Sequence, residues 1–72
     1  MQHPSIDKRF GQRLRELREK IPQSVNMFGY ENDLTPATVS RIENGIHSPR
    51  LRTLQKIAEA LGLSLSELLQ GL

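Results

Sequence analysis

Few residues in this chain are equipped for chemistry, and their types point away from covalent catalysis. There is no cysteine, hence no thiolate nucleophile, disulfide framework or cysteine-rich zinc site. The two histidines stand alone: His3 is in a terminal tail, and His47 lies between Gly45 and Pro49 with no evident acid partner. Without a phosphate-binding glycine loop or a metal-ligand cluster, no enzyme activity, cofactor or metal is expected. What remains is arginine, seven of the ten basic residues, whose planar fork suits phosphate and the edge of guanine. The formal net charge is only +2, but its placement is uneven. Residues 35 to 52 hold Arg41, Arg50 and Arg52 against Glu43, so this stretch carries the whole +2 and the remainder sums to zero.

Helical periodicity supplies the elements that position these residues. Phe10, Leu14, Leu17 and Ile21 recur at steps of four, three and four, with charged residues, Arg13 and Arg15 among them, on the other faces. This predicts a first helix over 6–20, capped by Ser5 or Asp7 and stopped before Pro22; Gly11 inside it costs about 1 kcal/mol against alanine. Ser24 opens a short second helix over 24–31, in which Val25, Phe28 and Gly29 share a face and Gly29 admits a close neighbour. Glu31-Asn32-Asp33 reads as a turn.

Thr35-Pro36 is a strong helix start, a capping hydroxyl followed by the residue that needs no amide donor at the first position. A third helix then runs over 36–44 and is closed by Gly45. Leu51, Leu54, Ile57, Ala58 and Leu61 define a fourth over 50–61, started either by Ser48 with Pro49 or by Arg50. Ser64 and Glu67 form a capping box for a fifth over 65–70. With no strand signal, repeat or linker, residues 1–72 are expected to form one all-α domain, a compact five-helix bundle. Its small core leaves little stability to spare.

Two short helices joined by a tight turn, the second rich in small polar residues, match the plan of a supporting helix followed by a reading helix. On the third helix Val39 and Ile42 face inward, which turns Pro36, Ala37, Thr38 and Arg41 outward, with Ser40 to one side. Thr38-Val39-Ser40-Arg41-Ile42-Glu43-Asn44-Gly45, then Ser48-Pro49 and Leu54-x-x-Ile57-Ala58-x-x-Leu61-Gly62, resembles the Cro/repressor (XRE) helix-turn-helix family. Gly11-x-x-Leu14-Arg15-x-Leu17-Arg18 extends the likeness, which covers residues 10–70.

The resemblance implies a lambda repressor-like domain that binds double-stranded DNA and regulates transcription, as repressor or activator. Base reading would fall to Thr35, Pro36, Ala37 and Arg41, with the Thr38 methyl or Ala37 against thymine. Phosphates would be met by Ser24, Thr38, Ser40, Asn44, the loop residues Ile46, His47 and Ser48, and Arg50 or Arg52. Arg18 and Glu43 would pair across the first and third helices, the alternative being that Arg18 meets phosphate. Where the family commonly has a phosphate-gripping glutamine after the capping Ser24, this chain has Val25. Gln23 or Asn26 would then supply the amide.

Leu65, Leu68, Leu69 and Leu72 share one face of the last helix, forming either a homodimer interface or the finish of the core. A homodimer would address two half-sites about 34 Å apart on an inverted repeat. The competing class is a protein-interaction module that binds a toxin, a polymerase subunit or another regulator and touches DNA weakly. Lacking a signal-peptide pattern near Met1 and any run long enough to cross a bilayer, the chain is expected in the cytoplasm with the nucleoid, without a membrane partner.

Overall fold

The computed structural model describes residues Pro4 to Leu72, with backbone alone for Tyr30. Among the described residues there are five helices and no strand: α1 (Ile6–Glu19), α2 (Val25–Glu31), α3 (Pro36–Glu43), α4 (Leu51–Leu61) and α5 (Leu65–Leu68). His3 lies outside the described residues. Ser24 caps α2 as expected, while Lys20, Asn44 and Arg50, expected inside helices, are instead caps. The last helix stops at Leu68 rather than at residue 70, continuing as a turn that ends at Gly71 with φ +85°.

Local chemistry sets most boundaries. Ser5 Oγ accepts from Lys8 N at 3.2 Å, which decides between the two candidate caps of α1. Ser24 Oγ does the same for Met27 N at 3.2 Å and Thr35 Oγ1 for Thr38 N at 3.1 Å. Each hydroxyl satisfies an amide that has no partner within its helix. Glu31 still belongs to α2, so the turn before α3 is tighter than expected and falls on Asn32 and Asp33. Asp33 takes a left-handed φ of 57°, which aspartate tolerates better than most residues. Leu34 N then returns to Gly29 O at 2.8 Å, and Asn32 Nδ2 donates to Phe28 O at 2.7 Å.

The core centres on α1, α3 and α4. Leu14, Phe28, Val39, Ile42, Ile57 and Leu68 are fully buried, with Phe10 and Ala58 nearly so. Helix α3 packs on α1 and α2, while α5 closes against α4. The α1–α3 contact is unusually close because Gly11 is there. A Cβ at this position would lie 2.7 Å from the Glu43 carbonyl oxygen and closer still to that of Ile42. The glycine that weakens α1 as a helix is thus what lets α3 lie against it. Gly45, with φ +71° beside the Lys8 side chain, ends α3 and turns the chain toward the next loop.

Candidate nucleic-acid interface

The inward side of α3 is filled by Val39, Ile42 and Glu43, all buried. That fixes the rotation of the helix and exposes Thr35, Ala37 and Arg41, with Pro36, Thr38 and Ser40 half-exposed at the margins. The two threonines act together: besides the cap, their hydroxyls share a hydrogen bond of 2.6 Å, which pre-orients two polar groups at the helix's leading end. Arg41 has no side-chain hydrogen-bond partner among the described residues, and its carbonyl accepts from Ile46 N at 3.0 Å. The loop after α3 therefore folds back under the arginine. Proline and alanine at 36 and 37 keep the surface low, so the backbone can approach base edges.

Around this helix lie the residues expected to meet phosphate. His47 and Ser48 are exposed on the loop, and Arg50 and Arg52 are exposed at the start of α4. Arg50 caps that helix without a side-chain hydrogen bond, leaving the first amides of α4 without a side-chain acceptor, an arrangement that favours an anion. Asn26 is exposed on α2, whereas the Ser24 hydroxyl is engaged as the cap. Gln23, the other candidate amide, donates to Glu31. Asn44 is exposed and tethered to the preceding turn: its Nδ2 donates to Ser40 O at 2.9 Å and to Ser40 Oγ at 3.4 Å.

Among the described residues Glu43 is the buried charge, and it joins α1 to α3. Arg18 grips it with Nε on Oε2 and Nη2 on Oε1, the latter at 3.0 Å. The hydrogen bond to Glu43 raises the Arg18 pKa above its ordinary value, against the opposing effect of burial. A second guanidinium escaped the sequence reading: Arg15 Nε reaches Glu43 Oε1 at 3.5 Å, and its Nη2 donates to Asn44 Oδ1 at 3.0 Å. Arg13 escaped it too, donating from Nε to Leu68 O at 2.7 Å and from Nη2 to Glu67 O at 2.6 Å. It thereby satisfies carbonyls at the end of α5 that have no partner within the helix. Residues 28 to 55 positions apart leave no periodic signal, so only the fold exposes these pairs.

The leucine set needs one correction. Leu68 is completely buried against Leu14, Ile42 and Ile57 and cannot line an interface. Leu65 and Leu72 pack partly on the same core, while Leu69 keeps 37% of its surface. It borders a shallow apolar groove with Ile6, Phe10, Pro49, Leu54 and Leu72.

A helix-turn-helix family model matches residues 31–68, more than half of the chain. The chain belongs to the helix-turn-helix family. Control protein C.MunI of Mycoplasma sp is 44% identical over 61 residues, covering 83% of this chain and 82% of that protein. The HTH-type transcriptional repressor RghR of Bacillus subtilis is 43% identical over 53 residues, but the chain spans only 39% of its length. Among solved structures, the restriction-modification controller protein C.AhdI of Aeromonas hydrophila superposes with a TM-score of 0.81 at 34% identity, over 86% of this chain and 90% of that one. No helix among the described residues is long and apolar enough to cross a membrane.

Proposed function

We propose that this protein is a sequence-specific double-stranded DNA-binding transcriptional regulator that acts as a homodimer on an inverted repeat, in the cytoplasm with the nucleoid. The observation that carries the reading is the exposed face of α3, where Ala37 and Arg41 stand beside the paired Thr35 and Thr38 hydroxyls while Val39, Ile42 and Glu43 anchor the opposite side. Arg41 is placed to fork onto guanine O6 and N7, and the low Pro36–Ala37 surface suits a thymine methyl. His47, Ser48, Arg50, Arg52 and the α4 amides flank that face as phosphate contacts that set register. Relatives named as control proteins and transcriptional regulators support the same reading.

Support for the dimer comes from the apolar groove beside Leu69 and from the modest number of base-reading side chains, which makes two linked half-sites advantageous. The test is selection of bound duplexes from a random library. A two-fold related motif is the expected result, and the absence of any enriched sequence would refute the assignment.

A further inference from the structure

Lys8, Gln12 and Arg15 follow one another at steps of four and three, so they share a face of α1. That face runs along the C-terminal turn of α3: Lys8 packs against Gly45, and Arg15 reaches Glu43 and Asn44. Together with Glu16 and Glu19 they border one polar groove. Within it the Asn44 carboxamide accepts from Arg15 Nη2 and donates to Ser40 O.

Resting on the DNA-binding reading above, we propose that Arg15 of α1 is a DNA backbone contact, a phosphate ligand outside the helix-turn-helix unit that Asn44 and Glu43 hold in place. Three features carry this. A guanidinium has five N–H donors; Nε and one donor on Nη2 are directed at Glu43 and Asn44, which leaves three. The side chain is 46% exposed, against 14% for Arg18 on the same carboxylate. Glu43 is already matched by the partly buried Arg18, so the second guanidinium leaves the three-residue cluster with a net positive charge. Glu16 is met by Gln12 at 3.4 Å, and neither Glu16 nor Glu19 bonds to Arg15 among the described residues. An exposed, doubly oriented cation beside the Asn44–Gly45 turn extends the phosphate-binding edge formed by His47, Ser48 and Arg50.

The test is the salt dependence of affinity for the selected duplex, measured on the full chain for the parent, Arg15→Gln and Arg15→Lys. Glutamine retains a donor for Asn44 but removes the charge; lysine retains the charge. Losing one phosphate contact flattens the slope of log K against log salt by about 0.9. Arg15→Gln is expected to show that flattening with an unchanged preferred sequence, its deficit shrinking about threefold between ~50 and ~200 mM salt. Arg15→Lys is expected to keep the parental slope. A weakened Arg15→Gln with the parental slope would mean that Arg15 only braces α3, and would overturn the inference. A parent that selects no duplex would instead defeat the DNA-binding reading, and this inference with it.

Discussion

Arg41 and Arg50 are both exposed arginines within ten residues of each other, yet their settings differ in a way that separates their effects. Arg41 projects from the open face of α3, where the proposed bidentate contact to guanine would discriminate by about 1–3 kcal/mol. Arg50 caps α4 beside that face, where in the proposed complex its cation would meet the sequence-independent backbone. Arg41→Ala is therefore expected to change the enriched motif in a selection experiment, and Arg50→Ala to weaken all duplexes alike. Identical motifs for Arg41→Ala and the parent would remove Arg41 as a reader. The exposure of Arg41 was legible in the sequence because it depends on the face of a single helix, fixed by Val39 and Ile42. The partners of Arg13 and Arg15 were not legible, since an arginine on a charged face looks the same whether it ends in water, on a carbonyl of α5 or on Asn44.

At the scale of the elements, propensity and packing give opposite answers at Gly11. Alanine improves the isolated helix by about 1 kcal/mol, but its Cβ would collide with the Ile42 and Glu43 carbonyls, and displacing α3 costs about 1–3 kcal/mol in a packed interior. Gly11→Ala is expected to lower the midpoint of chemical unfolding; a raised midpoint would show that the two helices separate easily. The sequence exposed only the unfavourable half of this balance, because the reason for the glycine lies on another helix.

Helix α5 has four residues and relies on its ends. Ser64 N donates to Glu67 Oε1 at 2.9 Å, Ser64 Oγ accepts from Glu67 N at 3.1 Å, and Arg13 holds the far end. The Ser64 backbone amide, aided by its hydroxyl, holds the Glu67 carboxyl below its usual pKa. A depressed carboxylate pKa stabilises the fold fully above the unfolded value of about 4.3 and loses that contribution as pH falls through the lower folded value. Glu67→Gln is expected to flatten the decline of unfolding midpoints on acidification below that range. An unaltered pH profile would show that the box adds no pH-dependent stability. This cap was readable directly, as S-x-x-E preceding a leucine pair.

For the whole molecule, the question is what covers the groove beside Leu69. A charge placed there, at a residue outside the core, is expected to shift sedimentation from dimer toward monomer at micromolar concentration while helicity is retained. A Leu69→Glu variant that sediments like the parent would locate association elsewhere. Leu68, one position earlier, is no substitute for this test, since its replacement would unfold the core. One-face spacing alone could not separate the two leucines, because where α5 sits on α4 decides which is covered.

The close seating of α1 on α3 at Gly11 also bears on the operator. Ile6 and Phe10, on the groove, belong to the same rigid block as the base-reading helix. If that groove is the seam between two copies, each seam is joined to its reading head by a stiff lever rather than a flexible arm, and the spacing of the heads is set by the protein. Each inserted base pair turns one half-site by about 35° relative to the other. The dimer should act as a ruler: adding a single base pair between the half-sites is expected to reduce binding to that of one isolated half-site, and tolerance of the insertion would show that the lever bends.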